Sequence, residues 1–207
     1  MLTIALVCTA AAAVVNWSTR VRPNQLLETV SKPVTTLLVM WVAVAAHGPT
    51  NATVLAVIGL VFCLVGDVAL LDVVDKFIVG LCAFLTGHLV FVAMFVSLHL
   101  NHAAWALPVV VLLVLHVATL GRRIVAGATA NKPELRVPVL AYLAIISSMS
   151  VFAAMTGRWW AITGAAAFVV SDTLLGWREF VGERKWLPLA VMVSYHSALV
   201  GLALSLL

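Results

Sequence analysis

The sequence predicts an all-α polytopic membrane protein with eight transmembrane helices, arranged as two four-helix repeats. Composition is the first observation behind this: 64% of residues are hydrophobic and 10% charged, with a mean hydropathy of +1.15. A bilayer core takes about 20 apolar residues per helical crossing, and most of the 207 residues lie in such stretches. The second observation is a repeat. Pro33 and Pro138 are 105 residues apart, and so are Asp67 and Asp172. The polar connections are too short to bury a core of their own. Residues 1–207 therefore read as one membrane domain, with halves at about 1–102 and 103–207.

In chain order the apolar segments are 2–16, 33–46, 50–71, 77–98, 103–120, 137–155, 159–176 and 186–207. The first two are short, and would need a thinned bilayer or snorkelling flanks to span. Segment one has the Ala run of a signal peptide but no basic stretch before it. Arg20 and Arg22 come after it, so it is kept as a membrane helix. Pro33 opens segment two and Pro138 opens segment six. Four helices per half is an even number, so the halves are expected as parallel repeats about an axis along the membrane normal, with the substrate site at their interface.

Charge orients the bundle. The connections after segments one, three, five and seven hold eleven of the twelve Lys and Arg; the remaining one is Arg158. The positive-inside rule puts those connections in the cytoplasm and both termini outside, in the cell membrane. Trp17, Trp177 and Trp186 would mark the inner interface, and Trp105, Trp159 and Trp160 the outer one. The net charge of +4 lies at segment ends rather than in a stripe interleaved with aromatics, which argues against nucleic acid. Cys8, Cys63 and Cys82 all fall in apolar runs, an odd number without framework spacing, so they read as packing residues.

Two residues break the apolar pattern in the same way. Asp67 in Val61–Leu71 and Asp172 in Val169–Leu175 each interrupt a hydrophobic run. An ionisable side chain there is costly and is expected to face a bundle interior or a wet cavity. Both are expected four residues from the inner ends of their segments, at equal depth. The plain alternative is a pair of interhelical hydrogen-bonding residues. The functional one is a carboxylate pair: a carboxyl group away from water and near a like charge keeps its proton, so one member can act as a general acid while the other stays ionised.

His88 and His196, 108 residues apart, lie mid-segment one helix after each aspartate, with Tyr195 beside His196. They read either as packing residues or as cavity lining. Two His and two Asp could hold zinc, but there is no HExxH, no Cys pair and no i,i+4 His pair, so no metal or other cofactor is expected. His116 reads as a packing residue near the same depth. Lys32 is either a membrane anchor or a phosphate contact, and its position favours the anchor. Ser171 precedes Asp172 without a G-x-S-x-G elbow or an ordered triad, which makes serine hydrolysis a weak reading. Gly59, Cys63 and Gly66 give segment three a small-residue face, partly matched by Gly164 and Ser171.

These residues, in this order, resemble the YhhN-type lysoplasmalogenase family of integral membrane hydrolases along nearly the whole chain. The matching positions are Lys32-Pro33; Phe62 with Gly66-Asp67 and Leu70; Gly80–Phe84 with Gly87-His88 and Phe95; Gly164 and Phe168 with Ser171-Asp172 and Leu175; and Tyr195 with Ala198. The resemblance implies eight helices and cleavage of the vinyl-ether bond of a lysoplasmalogen, with the aspartates carrying the chemistry. Two positions depart from it: Leu199 stands where the family usually has Gln, and Phe91 where it often has Tyr. Head-group preference is therefore not carried over. The expected activity is hydrolysis of a single-chain ether lysophospholipid from the cytoplasmic leaflet, through Asp67 and Asp172, supported by Lys32, His88, Ser171, Tyr195 and His196. The rival is a proton-coupled lipid or small-solute transporter, because paired acids at a repeat interface also suit proton coupling.

Overall fold

Eight helical stretches are long and apolar enough to cross a membrane, and there is no strand. The structure is a computed structural model and describes residues 1–207. The helices are α1 (Leu2–Val21), α2 (Gln25–Ala45), α3 (Thr50–Ala69), α4 (Phe77–Ser97), α5 (Ala106–His116), α6 (Arg122–Asn131), α7 (Arg136–Met155), α8 (Trp159–Phe180) and α9 (Leu187–Leu204). A π-helical turn, Val117–Gly121, joins α5 to α6, so the two make a single stretch, Ala103–Asn131. Arg122 and Arg123, expected in a loop, stand in that helix. It stops at Lys132, next to Pro133, where the residue before a proline is pushed out of helical conformation.

The first two spans are longer than expected, at 20 and 21 residues, so neither needs a thinned bilayer. α1 runs on to Val21, just before Arg22-Pro23, and the Asn24 side chain caps α2 by accepting a hydrogen bond from the Leu27 amide at 3.0 Å. Pro33 thus lies inside α2 rather than opening it. The polar stretch Glu28–Lys32 reads as a loop in sequence because its charges interrupt the apolar run. Tertiary burial makes it helix: Glu28, Ser31, Lys32, Thr35 and Thr36 share the buried face of α2 at i, i+3, i+4, i+7 and i+8. At this end of the helix the polar face is turned inward.

Two helix pairs are the most closely packed, α3 with α4 and α8 with α9. Small residues allow this. A β-carbon on Gly66 would lie 2.5 Å from the Phe84 ring, and one on Gly164 would lie 2.8 Å from the Leu202 backbone nitrogen. Across the bundle α4 packs on α7 and α2 on α9, which joins the two halves of the chain. The core between them is apolar, built on Phe84, Phe91, Phe95, Phe168, Tyr195 and Leu199 among others.

The ends of α3 and α8 correct the expected symmetry of the aspartates. α3 stops at Ala69, leaving Asp67 in its last turn, whereas α8 continues to Phe180, two turns beyond Asp172. The acids therefore do not sit equally far from their helix ends. Both face inward, at the end of the bundle where the basic connections lie.

Candidate active site

Asp67 is fully buried, yet it is charge-compensated. The Thr36 hydroxyl donates to its Oδ2 at 2.5 Å, and Lys32 Nζ stands 3.7 Å from its Oδ1. Lys32 also donates to the Asp67 main-chain carbonyl at 3.3 Å, one of the carbonyls left free at a helix C-terminus. The inward polar face of α2 supplies both partners. Lys32 is 4% exposed, so it is not the membrane anchor its position suggested. Burying two charges is costly unless each has the other.

Asp172 has different company. The Tyr142 hydroxyl, from α7, donates to its Oδ2 at 2.5 Å. His88 Nε2, from α4, stands 3.8 Å from the same oxygen, beyond hydrogen-bonding distance. The His88 ring is wedged between Phe168 and Tyr142, with centroids 4.5 and 5.3 Å away. No Lys or Arg pairs with Asp172.

Two cavities meet at this carboxyl group. One is polar, about 60 Å³, and is lined by Lys32, Asp67, Ser171, Asp172, Arg178 and Tyr195 among others. The other, also about 60 Å³, is mainly apolar, with Tyr142, Asp172, His116, Leu143 and Ser147 in its wall. They share Leu70, Phe84, Asp172 and Leu175. Asp67 reaches the polar cavity alone, whereas Asp172 reaches both.

Of the residues singled out in the sequence, Lys32, Asp67, Ser171, Asp172 and Tyr195 come together on the polar cavity. The Ser171 hydroxyl donates to the Val191 carbonyl at 3.3 Å, and the buried Tyr195 hydroxyl has no hydrogen-bond partner. His88 lies beside Asp172 without a hydrogen bond to it and is in the wall of neither cavity. His196 does not join: it lines neither cavity, and its Nδ1 accepts a hydrogen bond at 3.0 Å from Trp17, a residue expected at the interface. His116 does more than pack, since its Nε2 lies 3.1 Å from the Thr173 hydroxyl on the apolar cavity. No three His, Cys, Asp or Glu side chains converge in a way that could hold a metal ion.

Sequence reasoning missed Tyr142 and Thr36. A signal for the first was present. The chain has two tyrosines, and a residue with a polar tip on an apolar body usually finds a partner for its hydroxyl when buried. For Thr36 the signal was the i, i+4 spacing from Lys32 on one helix face.

The YhhN family model matches residues 27–206, a stretch that includes Lys32, Thr36, Asp67, Tyr142, Asp172 and Tyr195. The chain belongs to the YhhN family. Its relatives include proteins named lysoplasmalogenase from Mycobacterium bovis (strain ATCC BAA-935 / AF2122/97) and Mycobacterium tuberculosis (strain CDC 1551 / Oshkosh). Each is 30% identical over 125 residues, which is 59% of this chain and 48% of the relative. The chain thus spans about half the length of the curated relatives it matches. No solved structure matches it.

Proposed function

We propose that this protein hydrolyses the vinyl-ether bond of lysoplasmalogens, releasing a fatty aldehyde and a glycerophospho-base, with Asp172 as proton donor and Asp67 as the ionised partner. The observation that carries the reading is the unequal pairing of two buried aspartates on one cavity: Asp67 has an ammonium beside it, and Asp172 has only a phenol and an imidazole. The names of the two mycobacterial relatives support the choice of substrate. The basic connections support a site toward the cytoplasmic leaflet and termini on the outside, by the positive-inside rule.

The chemistry divides between the two acids. Asp172, reaching the apolar cavity, gives its proton to the β-carbon of the vinyl ether, leaving a cation shared by the other vinyl carbon and the ether oxygen. A positioned acid is worth about 10²–10⁴-fold in such a step. The Asp67 carboxylate stabilises the cation through space, a division of labour like that of the paired carboxylates of glycoside hydrolysis. Water from the polar cavity adds to the cationic carbon and returns a proton to Asp172. The hemiacetal then breaks its bond to the glycerol oxygen, which takes the hydroxyl proton as the aldehyde leaves.

The test is incubation of purified, detergent-solubilised protein with a lysoplasmalogen, followed by measurement of aldehyde. An enzyme needs no second compartment, whereas a proton-coupled transporter does. Absence of aldehyde together with proton-driven lipid uptake in sealed vesicles would replace this reading with the transporter.

A further inference from the structure

The apolar cavity holds about 60 Å³, far less than the roughly 300–1,000 Å³ of typical ligand pockets. It can receive the vinyl-ether segment of a lipid but not the whole chain. Just outside it, between α6 and α7, lies an open groove of about 760 Å³. The two spaces share Leu143 and Ser147 in their walls. Val117, Val125, Leu140 and Ala144 give the groove an apolar floor. Leu140 and Ala144 are exposed within it, on a helix long and apolar enough to cross a membrane.

Arg122 and Arg136 line the groove at the basic end of the bundle, and both are exposed. Their state differs from that of the cations at the polar cavity. There Arg20 pairs with Glu28, Lys32 with Asp67 and Arg178 with Glu183. Arg122 and Arg136 pair with no carboxylate. A phosphate approaching the polar cavity would have to displace a carboxylate from each cation, whereas at the groove two guanidinium groups are free. Tyr142 follows Arg136 by six residues, about 9 Å along the helix axis at 1.5 Å per residue. An extended glycerol backbone sets a phosphate and the β-carbon of its vinyl ether apart by a distance of that order.

We propose that the α6–α7 groove is the docking site for a single-chain phospholipid arriving sideways from the bilayer. Arg122 and Arg136 hold its phosphate, the vinyl-ether bond next to the glycerol turns into the apolar cavity past Leu143 and Ser147, and the rest of its hydrocarbon chain lies in the groove along Leu140 and Ala144. The polar cavity on the other side of Asp172 is then the water supply, and lipid and water reach the acid from opposite sides. This rests on the reading of the site as a lysoplasmalogenase, but the docking itself is measurable without turnover.

The experiment is photo-crosslinking of the full-length protein in phosphatidylcholine vesicles, with a lysophosphatidylcholine carrying a diazirine in its chain. Label is expected on residues 117–126 and 140–147, competed by unmodified lysophosphatidylcholine. An attraction of the size that each juxtamembrane cation exerts on a lipid head group predicts that the Arg122→Glu, Arg136→Glu double variant weakens labelling by roughly tenfold or more. The same variant should raise KM for a lysoplasmalogen and leave kcat unchanged. Label spread evenly over the bundle, label gathered around Glu28 and Pro188 at the polar cavity, or label indifferent to the double variant would each overturn the proposal. Groove labelling without aldehyde release would leave the docking site standing and remove the hydrolase reading; aldehyde release with no preference for the groove would do the reverse.

Discussion

Asp67 and Asp172 stand 105 residues apart in matching runs, but the protein surrounds them differently. Asp67 sits in the last turn of its helix, fully buried, with a lysine and a threonine turned toward it. Asp172 sits two turns inside its helix, touches both cavities, and takes a tyrosine hydroxyl in place of a cation. A repeat can set two acids in equivalent places and leave their roles open. On the proposed mechanism the neighbours supplied by α2 and α7 divide the roles: the ion pair would hold one carboxylate charged, and the acid without a cation would be the one to hand over a proton.

The largest effect should come from removing the acids themselves. Asp172→Asn should lower aldehyde release by about 10²–10⁴-fold, because an amide has no proton to give to carbon. Asp67→Asn should also be severe, because it takes away the charge facing the cation. The comparison sharpens with solvent deuterium: carbon protonation should stay rate-limiting in Asp67→Asn and keep its isotope effect. If both Asn variants turn over at near-normal rates in folded protein, neither acid does the chemistry and the contrast between them is only structural.

Next in size is Lys32→Ala, a change in stability before anything else. Removing one partner of a buried pair leaves an uncompensated charge, at a cost of about 3–5 kcal/mol. The same substitution on an Asp67→Asn background should cost much less, and the double-mutant cycle isolates the pair. Thermal melting of the four proteins in one detergent measures it. Equal losses on both backgrounds would mean that Lys32 contributes its stem rather than its charge.

Tyr142→Phe tests the other side. It deletes one hydrogen bond to a carboxyl group that carries its proton, and a bond between uncharged groups is worth about 0.5–1.5 kcal/mol. If that bond orients the acid and does not hold the lipid, the loss should fall on kcat, by roughly two- to tenfold, with KM unchanged. An altered KM at constant kcat would move Tyr142 from orienting the acid to lining the chain path.

Much of this was legible in the sequence, for physical reasons that also explain what was not. Apolar runs of bilayer length reveal spans whatever the topology, and an aspartate inside such a run stands out because burying it is costly. Helix ends were less legible. Glu28, Ser31 and Lys32 look like a loop because polar residues usually face water, and only the site on α2's inner side makes them helix. Spacing leaves His196 open between packing and cavity lining, because a residue's direction around a helix depends on its neighbours, and Trp17 draws it to α1. Tyr142 went unnoticed because hydroxyl and carboxyl groups 30 residues apart meet only in three dimensions.

The smallest expected effect comes from a second lysine–carboxylate pair, which serves as a control for the first. Lys132 Nζ lies 2.8 Å from Glu179 Oε1, closer than Lys32 lies to Asp67, yet the two side chains are 46% and 31% exposed. Water screens such a pair, and exposed pairs are worth about 0–1 kcal/mol however short their contact. Lys132→Ala should therefore lower stability by less than about 1 kcal/mol, where Lys32→Ala costs several. The pH dependence has a definite sign. The hydrogen bond and charge of Glu179 raise the Lys132 pKa above its ordinary value. The contribution is then fully present at neutral pH, below the value in the unfolded chain, and is lost as pH rises through the folded one. Melting curves of wild type and Lys132→Ala should accordingly differ slightly near pH 7, converge in strong alkali, and converge again in high salt. A loss that neither alkali nor salt removes would trace to the lysine over the Phe77 ring, 5.8 Å from its centroid, and to packing of its stem rather than its pairing with Glu179.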